Sequence, residues 1–370
     1  MSISVALVGT GNAGRLALTQ LIDDDRFELV GVCVNNPDKV GVDAGILAGS
    51  DSATGVLAVD DLGAIVGRSP DVVVYCAMGD TRPIDAFNDI LMIVSAGIDV
   101  VGSAPGGLQY PWGVMPDKAI AKLEKTAHDN NASVFITGVD PGFANDLIPF
   151  VFAGTCQRIE QIRCMEIADY ATYDGAEVMF DVMGFGKPLD ETPMLFLPGI
   201  LGLAWGTTMR ILAAGLGITI DKVIEHHESE PAPEEFEIAA GVVEKGTRAA
   251  VRFEIIGMSG EREAVVIEHV TRLRDDLRLD WARPSQPGGC YRVEIVGEPS
   301  YRVDIMPTSA KGDHNHAAIV AAMGRIVNAI PAVHDAPAGI RTTLDLPLVT
   351  GNGVFAGAGA PDRGGWPPVS

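Results

Sequence analysis

Apolar positions along this chain change their period near residue 150. Before it, short uninterrupted apolar runs occur at SVALV (4–8), FELVGVCVNN (27–36), DVVVYCAM (71–78), DVVG (99–102) and SVFITG (133–138). Runs of that length bounded by Gly, Asp and Asn predict strands buried on both faces. Between them the spacing is helical, as in Leu16, Leu18, Leu21 and Ile22 and again over about 84–96. Strand alternating with helix predicts a doubly wound α/β unit with a parallel sheet. The segment SVFITGVDPGFANDLIPF (133–150) adds a Pro-Gly turn and a helix start, for which Asp140 is the expected cap.

After 150 the apolar positions alternate. TRAAVRFEIIG (247–257) puts Ala249, Val251, Phe253 and Ile255 on one face and Arg248, Arg252 and Glu254 on the other. EREAVVIEHVT (261–271) and YRVEIVG (291–297) behave alike, predicting a mainly antiparallel sheet in an α+β second domain. DHNHAAIVAAMGRIVNAI (313–330) is an amphipathic helix expected to return to the first domain. The expected domains are therefore 1–140 with 313–350 packing back, 141–312 for substrate and dimerisation, and a Gly/Pro-rich tail over 351–370. The apolar stretch 194–218 is interrupted by Pro198, several glycines and Arg210, so it reads as one or two buried helices rather than a membrane span.

Composition narrows the classes. A net charge of −22 over 370 residues excludes a basic face for nucleic acid or anionic membrane. No basic leader precedes the first apolar run, so a cytoplasmic location is expected. Cys33, Cys76, Cys156, Cys164 and Cys290 include no CxxC pair and read as buried free thiols in a reducing compartment.

The first strand runs into Gly9-Thr10-Gly11-Asn12-Ala13-Gly14, a GxGxxG turn that opens a helix. That context is the dinucleotide-binding fingerprint. Gly9 permits the tight turn, Gly11 the approach of a pyrophosphate, and Gly14 close helix–strand packing. The second strand ends at Asn35 and Asn36, with no carboxylate to repel a 2′-phosphate and Lys39 just beyond to pair with one. This favours NADP, with NAD as the alternative; a solvated surface cation is the competing reading of Lys39. Ala77 and Met78, at the end of the third strand, complete the expected cofactor contacts.

Across nearly its whole length the chain resembles oxidoreductases with a dihydrodipicolinate-reductase-like N-terminal domain, among them 2,4-diaminopentanoate dehydrogenase and the native amine dehydrogenases. GTGNAGRLALTQLI, NPDKVGVDAGIL, GVDPGFANDLIPF, EKGTRAAVRFEIIG and VNAIPAVHDAPAGIRTTLDLPLVTG carry the resemblance. It implies a Rossmann domain, a homodimer and hydride transfer with NAD(P)H. Two departures stand out. Glu225-His226-His227 is followed by ESEPAPEEFEI, without the lysine and Pro-Ser-Gly-Thr turn of dihydrodipicolinate reductases, and the His pair reads as a solvated helix end. Amine dehydrogenases of the family carry a glutamate pair before a Tyr-Pro, and here Pro105, Gly106 and Gly107 stand in its place ahead of Tyr110.

Reduction of C=O or C=N needs a hydride and a hydrogen-bond donor at the developing charge. The candidates are Tyr173, Asp140, Tyr110 and His269, with Asp146 beside the Pro-Gly turn. His269 shares a strand face with Val265 and Ile267, where a satisfied core histidine competes. Asp313-His314-Asn315-His316 is not read as a metal site, since residues two apart at a helix start point to different faces. The expectation is an NAD(P)H-dependent reductase of a small, largely apolar carbonyl or imine. The alternatives are an amine dehydrogenase with its acid on another segment, and a nucleotide-binding sensor without catalysis.

Overall fold

The structure, a computed structural model, describes residues 2–50, 52–79, 81–310 and 313–355. The described residues form two compact units, 2–143 with 319–355, and 144–318.

The first unit is built from β1 (Ile3–Val8), α1 (Asn12–Asp23), β2 (Phe27–Cys33), α2 (Ala44–Ala48), α3 (Leu62–Val66), β3 (Val72–Tyr75), α4 (Pro83–Ser95), β4 (Asp99–Gly102), α5 (Asp117–Asn130) and β5 (Ser133–Ile136). Every residue of β3, β4 and β5 is buried, which is why these segments contain no polar alternation. The strands run parallel, in the order β14-β5-β4-β3-β1-β2, where β14 (Gly339–Arg341) pairs with β5. Strand order reverses between β1 and β3, so the crevice at their carboxyl ends is the topological switch point. One face of the sheet packs on Ile65, Ile90, Ile93, Val94 and Leu123 from α3, α4 and α5. The other packs on α1 and on Met323, Ile326, Val327, Ile330 and Val333.

The second unit contains α6 (Leu147–Ala153), β6 (Arg158–Asp169), α7 (Ile200–Ala204), α8 (Gly206–Leu216), β7 (Lys222–Pro231), β8 (Phe236–Ile238), β9 (Gly241–Val243), β10 (Arg248–Ser259), β11 (Arg262–Arg272), β12 (Gly289–Glu298) and β13 (Tyr301–Ile305). From His314, α9 (His314–His334) runs into the first unit's part of the chain. The sheet order is β13-β12-β6-β11-β10-β7, antiparallel except for the β11–β6 pair. Register aligns His227, Phe253, His269, Glu166 and Tyr291 in one row across five strands. The first approach of α8 to the sheet depends on Gly257: a Cβ there would lie 2.7 Å from the Met209 sulfur.

Two expectations are corrected. The helix α6 is capped by Asp146, whose carboxylate accepts from the Leu147 N–H, and not by Asp140, which lies in the turn closed by the Val139–Gly142 bridge. His226 and His227 belong to β7 rather than to a helix end, because pairing with β10 outweighs the strand's polar composition. The charged side of β10 is not a simple solvated face. Arg248 is buried and donates to Ser229 Oγ and to the Gly184 and Glu191 carbonyls. Arg252 and Arg163 are shared among Glu228, Glu254 and Glu268. Most of the 351–370 segment lies outside the described residues.

Candidate active site: a glycine turn and a buried carboxylate–imidazole pair

At the switch point of the first unit, each glycine of the fingerprint has a separate steric reason. Gly9 has φ +94°, and a Cβ on it would meet the Ala77 nitrogen at 2.6 Å. A Cβ on Gly14 would meet the Gly9 carbonyl oxygen at 1.9 Å, so helix and turn close together only without a side chain. Gly11 has nothing within 4 Å, and it is the N-cap of α1 without any side-chain cap. The turn thus presents an open, uncapped helix N-terminus, the geometry that receives a diphosphate. These residues fit a dinucleotide. Asn12 opens α1 at the surface, Ala13 is half-buried, Ala77 is buried against Gly9, and Met78 is exposed.

Lys39 bends back onto this turn. Its Nζ donates to the Thr10 carbonyl at 2.8 Å and lies 3.3 Å from Thr10 Oγ1. Asn36 is occupied by its own turn, accepting from the Asp38 N–H, whereas Asn35 is exposed. Tyr110 follows a short helical turn at Gly106–Gln109 and packs edge-on against Trp112, ring centroids 4.9 Å apart. The loop from Ser103 to Pro116 carries no carboxylate.

The second unit holds a different kind of chemistry. Glu166, on the apolar register of β6, is buried and accepts from His269 Nδ1 at 3.0 Å and from the Tyr170 hydroxyl at 2.9 Å. Burial pushes its pKa up, but the His269 hydrogen bond and charge, with His314 and Tyr170, outweigh that and hold the carboxyl below its ordinary range. It is an ionised carboxylate in an apolar layer. His269 is clamped between aromatic rings, nearly parallel to Phe253 at 4.7 Å and tilted on Trp205 at 4.6 Å. Tyr173 stacks on Tyr170 at 5.8 Å. The structure joins His269 and Tyr173 through Glu166 and Tyr170; by sequence Tyr110 and Asp140 belong to the first unit. With Nδ1 bonded to a carboxylate, the imidazole has a fixed tautomer and orientation, as in an imidazole–acid dyad.

Glu166 was missed by sequence reasoning. Its signal is a carboxylate at an alternate position on the same strand face as Ile162, Cys164 and Ala168.

A family model described as the 2,4-diaminopentanoate dehydrogenase C-terminal domain matches residues 143–353. An amine dehydrogenase of Streptomyces virginiae is 36% identical over 94% of this chain and 96% of its own. The chain belongs to the 2,4-diaminopentanoate dehydrogenase family. A 2,4-diaminopentanoate dehydrogenase of Acetoanaerobium sticklandii is 24% identical over 94% of each chain. The solved structure of an amine dehydrogenase from Mycobacterium smegmatis superposes with a TM-score of 0.77 at 20% identity, covering 95% of this chain and 97% of that one. A probable dehydrogenase from Thermotoga maritima gives a TM-score of 0.57 at 13% identity, covering 95% and 92%. As a member of this family the protein is an oxidoreductase that uses a nicotinamide cofactor and a small-molecule substrate. The nicotinamide cofactor of such an enzyme supplies or accepts the hydride when bound. The residue that manages the proton is the open question, because the loop ahead of Tyr110 has none to offer.

Proposed function

We propose that this chain is an amine dehydrogenase, interconverting an amine with its ketone or aldehyde and ammonia, and that Glu166 and His269 manage the proton. The observation that carries the reading is the ionised carboxylate of Glu166 bonded to His269 Nδ1 inside an apolar layer. It supplies from β6 the acid–base function missing from the loop at Pro105–Gly107. The similarity to amine dehydrogenases supports the choice of amine chemistry.

In the deaminating direction, His269 would take a proton from the substrate ammonium, leaving a neutral amine whose lone pair can form the C=N bond; a nicotinamide held at the glycine turn would supply the hydride acceptor. Water then hydrolyses the iminium to the carbonyl and ammonium, and the proton held by His269 passes to solvent as the one proton that the overall oxidation releases. Glu166 stays anionic throughout and stabilises the imidazolium. Tyr170 fixes the carboxylate, and Tyr173, stacked on it, holds that phenol in place. Trp205 and Phe253 keep the imidazole in an apolar setting, where its charge interactions are strong.

The proposed cofactor is NADP. Asn35 and Asn36 leave the end of β2 without a carboxylate, and the Lys39 ammonium beside Thr10 offers a partner for a 2′-phosphate. We further propose a cytoplasmic homodimer without a nucleic-acid or membrane partner, a reading supported by the charge of −22. The test is NADPH consumption by a panel of ketones with and without ammonium. Strict dependence on ammonium is expected. Equal consumption without it would reassign the enzyme as a carbonyl reductase.

A further inference from the structure

The imidazole of His314 is 4% exposed, and neither ring nitrogen has a hydrogen-bond partner among the described residues. It lies over the start of β12, where a Cβ on Gly289 would come within 2.5 Å of its Cδ2 and 2.8 Å of its Nε2. Gly288 and Gly289 have φ of +83° and +152°, so the backbone under the ring is one that side chains rarely adopt. The ring of Tyr291, the register partner of Glu166, is 5.5 Å away. His314 therefore stands at the polar end of the row that carries the proposed chemistry.

Burying a polar ring without partners is destabilising. Here the fold also commits two glycines to admit it. Such an arrangement is explained if the partner comes from outside the chain.

The chemistry of that partner follows from the surroundings. Burial lowers the His314 pKa, so near neutrality the ring is uncharged and offers one donor and one acceptor. The two nearest carboxylates are already engaged. Asp313 accepts from the Asn315 N–H at 2.8 Å and Thr172 Oγ1 at 3.3 Å, and Glu166 accepts from His269 and Tyr170. An ammonium group only donates, so it could pair with the acceptor nitrogen alone, whereas a hydroxyl can meet whichever nitrogen faces it. A hydroxyl both donates and accepts.

We propose that His314 is a specificity residue that hydrogen-bonds a hydroxyl group carried by the substrate next to its amine or carbonyl carbon. This rests on the amine dehydrogenase reading above and narrows its substrate class to amino alcohols and their hydroxy-carbonyl counterparts.

The test uses the full chain with NADP bound and three amines of one shape: sec-butylamine, alaninol and propane-1,2-diamine, ending in methyl, hydroxyl and ammonium. The wild type should favour alaninol over sec-butylamine in kcat/KM by about tenfold to a hundredfold, as expected for one buried hydrogen bond. His314→Leu should erase the preference, and His314→Asn, which keeps a donor and an acceptor, should restore part of it. A preference that survives in His314→Leu, equal losses for both amines, or a preference for the diamine would overturn the proposal. Should His314→Leu fail to fold, the ring resonance of His314 in the wild type decides. It should shift with alaninol and hydroxyacetone and not with sec-butylamine, and no shift sinks the proposal. If no amine turns over but the ring still answers to hydroxyacetone, the amine reading falls and the hydroxyl contact stands.

Discussion

A carboxylate that stays ionised while buried depends on its hydrogen-bond donors, and Glu166 has two, His269 and Tyr170. Glu166→Gln keeps the shape and removes the charge that orients and stabilises the imidazolium. It is expected to lower kcat by about 10²–10⁴, the range of a general acid–base contribution, with NADP affinity unchanged by calorimetry. Unchanged turnover would place the proton elsewhere. His314 gives a second residue-scale prediction, on stability. Burial lowers its pKa, so the folded chain holds this proton less tightly than the unfolded chain, whose histidine titrates near 6.5. The stability His314 contributes is then fully present above about pH 6.5 and is lost as pH falls through the lowered folded value. The slope is at most about 1.4 kcal/mol per pH unit for one such group. Chemical denaturation at a series of pH values should show it in the wild type and a shallower acid limb in His314→Asn.

At the scale of elements, the glycine turn separates binding from folding. Because nothing lies within 4 Å of a Cβ on Gly11, Gly11→Asp is expected to leave the melting temperature within a few degrees of wild type. Its carboxylate would face the diphosphate, and roughly 1–4 kcal/mol of repulsion at ~4 Å predicts at least about a fivefold loss of dinucleotide affinity. Equal affinity for variant and wild type would remove the dinucleotide from this turn. The first unit was legible because its strands are buried on both faces and so are unbroken in sequence, as β3, β4 and β5 are. β7 was hidden for the opposite reason. KVIEHHESEP is a half-exposed edge strand whose identity comes from its pairing with β10 and the stacking of His227 on Phe196 at 4.3 Å. β14, three residues long, forms only by adding to β5. At the site, His269 was visible as a polar residue on an apolar face, but Glu166 lies about a hundred residues earlier. Only the parallel register of β6 and β11 brings the two together. Local spacing also put the helix cap at Asp140, whereas the backbone turns once more before Asp146 can reach the first N–H of α6.

For the molecule as a whole, charge sets a problem that the cofactor must overcome. The chain carries −22 and NADPH is itself an anion, so the long-range field opposes their encounter. The attractive features of the proposed cofactor site are short in reach: the N-terminus of α1, whose partial charge acts within its first turn, and the single Lys39 ammonium beside Thr10. Raising ionic strength from about 0.01 to 0.15 M shortens the Debye length from roughly 30 to 8 Å, which screens the distant acidic residues far more than these contacts. The association rate of NADPH measured by stopped flow should therefore rise with salt, by a few-fold, while the dissociation rate changes little. Lys39→Gln should leave that slope in place and act on dissociation instead, and more strongly for NADPH than for NADH if Lys39 meets the 2′-phosphate. An association rate that falls with salt would mean that a basic local field governs the approach, and the cofactor would then have to enter over a different part of the surface.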